Sequence, residues 1–365
     1  MKIKTRELWN EKGTAYTVYD MATSRGMTVS VMALGAAIQK VAIRDESGRE
    51  QPVALAFENM EQYENCICYA GATLGPNAGR IGKAQLPVGT KIYQLSKNDR
   101  DNQLHGGVDN LSSRLWDVTS VTAGLESVSI LLSITQPDGL DGYPGNRTYH
   151  TRYTLEDTNW LTIEYTAVTD VSTYINMSNH TYWNLSGDFS ISGLEQEIQV
   201  FANNVCINNK EHLPADIIPV AGTVFDFRSP QQLLSQISSA KMPVCKEQLS
   251  IGCGYNNAYI LNKNQTFRPL RFAKRPCELK KACVLLDSRT GRTLKMMTDA
   301  PALVLYSGGF IPNGTVLSGG TASSPACAIA LEAQDIPDVM HLLPGNYRIT
   351  TPEHPFYRTI RFYIS

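Results

Sequence analysis

Apolar residues recur at every second position in several segments of the chain. Residues 161–167 run Leu-Thr-Ile-Glu-Tyr-Thr-Ala, and residues 359–364 run Thr-Ile-Arg-Phe-Tyr-Ile. A period of two is typical of a β-strand with one buried face. Similar segments predict further strands over Val128–Ile134, Leu294–Thr298 and Ala302–Tyr306.

Turn residues separate the predicted strands, and helical patterns are few. Pro137–Gly139 and Tyr143–Asn146 have the composition of tight turns. Short helices are predicted only within Gln231–Ser239 and Met60–Glu64. Many short strands without long helices favour an all-β sandwich or barrel. Because no linker or break in composition interrupts the 365 residues, we expect one domain over residues 1–365.

The composition excludes several classes of protein. Hydrophobic residues make up 42% of the chain, which is enough for a large core. The formal net charge of −1 gives no general attraction to nucleic acid or anionic lipid, so we expect neither as a partner. The basic start of the chain is not followed by an apolar stretch, and no segment is apolar enough to span a bilayer. We therefore expect a cytoplasmic protein, either a monomer or a homodimer.

The cysteines are scattered along the chain without a metal-binding spacing. Cys66 and Cys68 are two residues apart, which in a strand would place both on one face. Since no further Cys or His lies nearby at a zinc spacing, we interpret the cysteines as buried, reduced thiols. We expect neither a metal nor an organic cofactor. The eight are Cys66, Cys68, Cys206, Cys245, Cys253, Cys277, Cys283 and Cys327.

Two of the six histidines lie in unusual surroundings. His105 is followed by Gly106 and Gly107, which permit a tight turn and a close approach of other groups. His180 begins the run His-Thr-Tyr-Trp-Asn, which includes Tyr182 and mixes aromatic with hydrogen-bonding side chains. Such a mixture suits a sugar pocket, although either histidine could also be purely structural. The other histidines, His150, His212, His341 and His354, carry no comparable signal.

Glu332 and Arg80 are the charged candidates. Glu332 follows the apolar run Ala328–Leu331, so we expect its carboxyl to be partly buried unless it sits at an exposed strand end. Burial raises the pKa of a carboxyl group and makes the carboxylate a stronger base at neutral pH. Arg80 stands in a glycine-rich run, but the spacing matches neither of the common nucleotide-binding loops.

These segments, in this order, resemble the aldose 1-epimerase (galactose mutarotase) family. The resemblance extends from about residue 30 to the C-terminus. It implies an all-β fold of the galactose mutarotase type, a large β-supersandwich, and the interconversion of α and β anomers of a free aldose. The matching segments are 79–81, 102–107, 114–116, 141–145, 179–185, 222–228, 254–256 and 331–338.

The resemblance also implies roles for individual residues. Glu332 matches the general base of the family and His180 matches its general acid. Arg80 and His105 match residues that hydrogen-bond the sugar near its reacting end. Asn256 occupies a position that contacts sugar hydroxyls, and we expect Tyr182 to line the same pocket.

Three positions depart from the family pattern. Gly79 stands where the family commonly has Asn, Asn256 where it has Asp, and Val304 where it has Gln. An Asn side chain can bond hydroxyl groups but accepts more weakly than a carboxylate. The departures therefore predict a substrate other than galactose, although they do not identify the sugar.

Ring opening of an aldose needs one base for the anomeric hydroxyl and one acid for the ring oxygen. Closure needs the same pair with the protons exchanged, so we expect both pKa values near neutrality. We expect Arg80 to lower the pKa of Glu332 if the two lie close together. The hypothesis requires Glu332 and His180 to face one buried cleft, on opposite sides of a pyranose.

Two alternatives remain at this point. A binding or sensory protein on the same fold would keep the sugar pocket without turnover, but it would have no need for both proton-transfer residues. An epimerase of a phosphorylated or otherwise modified sugar would need clustered cations, and only Arg80 and Lys83 lie close together in the sequence.

Overall fold

β-Strands dominate the computed structural model, which describes residues 1–262 and 278–365 and the backbone of 266–267. The all-β prediction is confirmed. In chain order the strands are β1 (Lys2–Trp9), β2 (Ala15–Ala22), β3 (Met27–Met32), β4 (Ala37–Arg44), β5 (Glu50–Pro52), β6 (Thr73–Leu74), β7 (Arg80–Ile81), β8 (Gln85–Val88), β9 (Lys91–Gln94), β10 (Gln103–Leu104), β11 (Asp117–Ala123), β12 (Ser127–Gln136), β13 (Arg147–Glu156), β14 (Trp160–Thr169), β15 (Ser178–Asn179), β16 (Tyr182–Trp183), β17 (Glu197–Val200), β18 (Ala202–Asn208), β19 (Pro214–Pro219), β20 (Gln231–Gln232), β21 (Asn256–Leu261), β22 (Thr266–Phe267), β23 (Leu279–Asp287), β24 (Arg292–Thr298), β25 (Ala302–Tyr306), β26 (Ile329–Gln334) and β27 (Phe356–Ile364).

Helices in the described residues are short, and none is long and apolar enough to cross a membrane. The two predicted helices are present, α1 at the predicted residues and α2 within the predicted segment. The sequence interpretation missed α3, although Pro243 at its first position is a common start signal. The α-helices are α1 (Met60–Glu64), α2 (Leu233–Ser238), α3 (Pro243–Gly252) and α4 (Val339–Leu342), and the 3₁₀ turns are Gly82–Ala84, Leu111–Ser113, Leu140–Gly142 and Gly193–Glu195.

Three large antiparallel sheets contain most of the strands. The first has five strands in the order β1-β2-β3-β4-β5. The second has ten strands, in the order β11-β12-β13-β14-β27-β24-β23-β17-β20 with β22 beside β23. The third has six strands in the order β16-β26-β25-β21-β18-β19. The five segments predicted from alternation are β12, β14, β24, β25 and β27, so those strand predictions are confirmed.

The main hydrophobic core draws on strands from both ends of the chain, from Met21 on β2 to Ile364 on β27. Leu161, Ile163 and Tyr165 on β14 are completely buried, as their alternation predicts. The polar face of β27 differs from expectation, because Arg361 on that face is only 5% exposed. The Arg361 guanidinium lies 4.4 Å from the ring centre of Trp160 and pairs with Glu156, so long side chains cover the second face of the sheet.

A buried arginine holds the loop between β12 and β13. The Arg147 side chain is fully buried and donates to the carbonyl oxygens of Tyr143 and Gly145, at 2.7 and 2.6 Å. Asp141 in the same loop accepts the backbone N–H groups of Val108 and Asp109, each at 2.9 Å. Arg147 thereby supports the segment that follows His105.

Replacing Arg147 by leucine is expected to reduce the free energy of unfolding by on the order of 3 kcal/mol, because several buried carbonyl oxygens would lose their donor. Arg152→Leu is the matched control, since Arg152 lies on the same strand but only half-buried. The control should cost less than about 1 kcal/mol. Urea unfolding of both variants measures the difference, and equal losses would contradict the role assigned to Arg147.

Candidate active site

A cavity with a volume of about 230 Å³ lies over one face of the six-stranded sheet. This size suits a single small molecule. All the residues singled out from the sequence line the cavity, together with the departing positions Gly79 and Val304. The predicted site residues that the structure brings together are Arg80, His105, His180, Tyr182, Asn256 and Glu332.

Glu332 lies within β26, between β16 and β25 near the middle of the cavity floor. Every residue of β26 is buried, and Glu332 is only 3% exposed. Its carboxyl accepts a hydrogen bond from Gln334 Nε2 at 3.1 Å. The sheet thus holds the carboxyl inside the protein, as the apolar run before it predicts.

His180 lies beside Glu332 on the same floor. Its backbone N–H and carbonyl pair with Ala72 and Gly71, each at 3.0 Å, which fixes the chain between β15 and β16. His180 Nε2 is 3.5 Å from Glu332 Oε1. The two groups therefore face one cavity, as the hypothesis requires.

The expectation that the two groups stand on opposite sides of a pyranose is wrong. The two side chains are in contact with each other, and the chemistry of ring opening is compatible with this arrangement. The anomeric hydroxyl and the ring oxygen are bonded to the same carbon, so an acid and a base that serve both oxygens must stand close together.

Burial shifts the pKa values of the pair in opposite directions. Desolvation raises the pKa of Glu332 to about 8, and the charge of Arg80 opposes this rise. Desolvation lowers the pKa of His180 to about 4, so the expectation that both values lie near neutrality is met by Glu332 and not by His180. Between these two values the pair holds one proton, and Glu332 carries it in the empty cavity.

Arg80 is the only Arg or Lys among the described residues that line the cavity. It lies on β7, opposite Leu104 of β10. Its Nε donates to Asp99 Oδ2 at 2.6 Å, which fixes the guanidinium beside the cavity. Arg80 opposes the rise in the pKa of Glu332, as the sequence analysis expected of a close arginine.

The backbone of Gly79 fixes the orientation of His105. The Gly79 N–H donates to His105 Nδ1 at 3.1 Å, and the Gly79 carbonyl accepts from the His105 N–H at 3.0 Å. A neutral His105 must therefore carry its proton on Nε2, and burial lowers its pKa well below the usual value. Gly106 is needed for this turn, because a Cβ atom there would lie 2.2 Å from the Gly75 carbonyl oxygen.

His105, His180 and Glu332 bring three possible metal-ligand atoms within 4.8 Å of one another. The hydrogen bonds around them do not suit a metal. A histidine that binds a metal normally donates its other ring N–H to an acceptor. Here His105 Nδ1 accepts a hydrogen bond, and His180 Nδ1 is buried without a hydrogen-bond partner among the described residues. The hydrogen bonds of these two rings therefore differ from those of a metal-bound histidine.

Tyr182 and the three departing positions shape the rest of the cavity. The Tyr182 hydroxyl donates to the Cys68 carbonyl at 3.0 Å, so this residue presents its ring to the cavity. Gly79 has a φ of 80°, a backbone conformation that favours Gly, and a Cβ atom at this position would lie 3.0 Å from Gln334 Oε1 and 3.1 Å from Pro337 Cβ. Asn256 is half-buried at the start of β21, and Val304 is 7% exposed next to Glu332.

Several cavity residues carried no signal in the sequence. His212 was assigned none, yet it lines the cavity, and its ring packs edge-on against Phe310. Tyr69 packs beside two of the cavity histidines, with its ring centre 4.7 Å from that of His105 and 6.2 Å from that of His180. These residues lie in loops where nothing in the local pattern distinguishes them.

The cysteine interpretation needs two corrections. Cys66 and Cys68 lie in a turn rather than a strand, although their sulfur atoms still meet at 3.5 Å. Cys253 is exposed and Cys66 is only partly buried, so neither matches the predicted burial. The described cysteines are all free thiols, as expected, and Cys277 lies outside the described residues.

A large antiparallel β-sandwich with a buried carboxyl–imidazole pair and an aromatic-lined polar cavity suits the class of sugar-converting enzymes. The comparisons with known proteins narrow this class. The aldose 1-epimerase family model matches residues 17–348, and the chain belongs to the aldose 1-epimerase family.

Proteins with names from this family match the chain over most of their own length. The chain is 28% identical over 314 residues to galactose mutarotase from Mus musculus, covering 86% of this chain and 83% of the relative. It is 28% identical over 327 residues to aldose 1-epimerase from Escherichia coli K12, covering 89% and 88%. The crystal structure of galactose 1-epimerase from Lactobacillus acidophilus NCFM matches with a TM-score of 0.83 at 28% identity, covering 100% of this chain and 99% of the other. The predicted fold of the galactose mutarotase type is thereby confirmed.

The raised pKa of Glu332 predicts a pH-dependent cost in stability. Below pH 4.5 the carboxyl is protonated in both the folded and the unfolded chain. As the pH rises from 4.5 to about 8, the unfolded chain loses this proton while the folded protein keeps it, so folding becomes less favourable. Glu332→Gln removes the titration and should stabilise the protein at pH 8 by on the order of 2–4 kcal/mol, with little effect near pH 4.5.

Chemical unfolding at several pH values measures this effect. Glu126→Gln, at an exposed turn, is the control and should be neutral throughout. A Glu332→Gln variant whose advantage did not grow with pH would show that the buried carboxyl is not held in its protonated form.

Proposed function

We propose that the protein interconverts the α and β anomers of a free aldose by acid–base ring opening. In this proposal Glu332 exchanges a proton with the anomeric hydroxyl, and His180 exchanges one with the ring oxygen. The observation that carries it is the 3.5 Å contact between two buried groups that hold one proton between them. Family membership supports the same activity.

The single proton of the pair suits a reaction that runs in both directions. When a sugar binds, the proton passes from Glu332 to His180, whose Nε2 lies 3.5 Å from Glu332 Oε1. The Glu332 carboxylate then takes the proton of the hydroxyl while His180 protonates the ring oxygen, so the ring opens and the pair ends with its proton on Glu332. Rotation about the C1–C2 bond then exposes the other face of the aldehyde. Closure returns the proton of Glu332 to the new hydroxyl while His180 removes one from the attacking oxygen.

The neighbouring residues would orient the sugar without taking part in the proton transfers. His105 offers Nε2–H as a donor, and Arg80 offers the guanidinium nitrogens that Asp99 does not use. Asn256 and Tyr182 would contact the sugar from the sheet. The exposed ring of Phe310, stacked on Tyr306, would form the apolar rim.

The alternative functions fit this cavity less well. A sugar-phosphate epimerase would need clustered cations, but Lys83 is not among the described residues that line the cavity, which leaves Arg80 alone. A glycoside hydrolase would need a second carboxylate near the first, but Glu332 is the only Asp or Glu among the described residues that line the cavity. A sugar-binding or sensory protein would not need the buried pair, whose burial destabilises the ionised carboxyl.

We also propose that the chain forms a single domain. It would act in the cytoplasm, either as a monomer or as a homodimer. The free thiols among the described cysteines suit a reducing compartment. Subcellular fractionation and sedimentation in solution would test these points.

Glu332→Gln and His180→Asn should each reduce kcat by at least about a hundredfold, because each removes one positioned proton-transfer group. Polarimetry or NMR on freshly dissolved α-aldoses measures the rate above the uncatalysed reaction. Asp338→Asn, outside the cavity, is the control with the same change from acid to amide. Full activity in either catalytic variant, or no acceleration by the wild type across hexoses and pentoses, would refute the proposal.

The pH dependence of kcat/KM offers a separate test of the one-proton pair. We expect a bell-shaped profile that falls below pH about 4 and above pH about 8, where the pair gains a second proton or loses its only one. Arg80→Met should move the alkaline limb to higher pH, because the charge of Arg80 lowers the pKa of Glu332. An unshifted limb would show that Glu332 does not control it.

A further inference from the structure

One row of side chains crosses the floor of the cavity from strand to strand. Glu332 on β26 lies directly opposite Val304 on β25, and Val304 lies directly opposite Ala258 on β21. All three line the cavity. On the other side of Glu332, His180 stands just before β16, the strand that pairs with β26, and its Nε2 lies 3.5 Å from Glu332 Oε1. The order across the floor is therefore His180, Glu332, Val304, Ala258.

The two halves of this row differ in chemistry. His180 and Glu332 are the proton-exchange pair, 3.5 Å apart. Val304 and Ala258 are 7% and 3% exposed, and their side chains have no hydrogen-bonding atom. A hydroxyl group pressed onto this half of the floor would lose its water without gaining a partner from these side chains.

The order of atoms in a pyranose indicates which carbon of the sugar would lie over the apolar half of this row. C1 lies between the ring oxygen on one side and C2 on the other. If His180 serves the ring oxygen and Glu332 serves the hydroxyl on C1, then C2 extends toward Val304. This step rests on the proposed function and its assignment of the two roles.

We propose that Val304 determines specificity at C2 and that the preferred substrates are aldoses without a hydroxyl group on C2, the 2-deoxy aldoses. An added hydroxyl in an apolar pocket is disfavoured by up to about a hundredfold. We therefore expect a sugar that carries the C2 hydroxyl to react with a kcat/KM at least about tenfold below that of its 2-deoxy counterpart, after correction for the uncatalysed rates.

The experiment compares two matched pairs of sugars, D-galactose with 2-deoxy-D-galactose and D-glucose with 2-deoxy-D-glucose. It is performed on the wild type and on Val304→Thr, which keeps the shape of the side chain and adds one hydroxyl. Because the ratio within each pair is compared between two proteins, intrinsic differences in sugar reactivity cancel. Val304→Ala, which stays apolar, is the control, and thermal unfolding confirms that the variants are folded.

The expected result is a preference for the 2-deoxy sugar in the wild type and in Val304→Ala, and a ratio reduced about tenfold in Val304→Thr. The pair D-galactose and D-fucose, which differ only at C6, should keep its ratio. An unchanged 2-deoxy ratio in Val304→Thr, or a change confined to the C6 pair, would overturn the proposal while leaving the epimerase function intact. A wild type that accelerates none of these sugars would overturn both.

Discussion

The burial of one carboxyl group beside one imidazole is the constraint on which the site depends. Glu332 stands on β26, next to the edge strand β16 of the six-stranded sheet. Every residue of β26 is buried, and His180 Nε2 lies 3.5 Å from the Glu332 carboxyl. In water these two groups would ionise independently. Inside the protein they share a single proton between pH about 4 and about 8, and the proposed exchange of protons with a sugar in either direction rests on this property.

The fold supplies this arrangement through strand pairing rather than through a specialised loop. Glu332, Val304 and Ala258 occupy successive positions across β26, β25 and β21 because of the register of these strands, and His180 lies beside Glu332 just before β16. A shift of one residue in any of the pairings would turn the side chains of that strand away from the cavity. The positions of these side chains on the cavity floor are therefore fixed by the backbone hydrogen bonds of the sheet.

Much of this structure could be predicted from the sequence, and what could not be predicted has physical causes. The alternation in 161–167 identified β14, and the apolar run before Glu332 indicated a buried carboxyl. The position of His180 next to Glu332, instead of across a sugar ring from it, depends on a pairing between segments about 150 residues apart, which no local pattern reports. The low pKa of His180 follows from the depth of its burial, and the place of His212 and Tyr69 in the cavity follows from loop packing. Both are tertiary properties.

The contact between Gly79 and His105 has a consequence for how this site can change in evolution. The group that directs the His105 ring is a main-chain N–H, and every residue except proline carries one. Replacement of the neighbouring side chains can therefore alter the shape of the cavity, while His105 keeps its proton on Nε2 and remains a donor. Substitutions among the side chains that line the cavity can therefore change the substrate specificity of the enzyme while the orientation of the His105 ring is preserved.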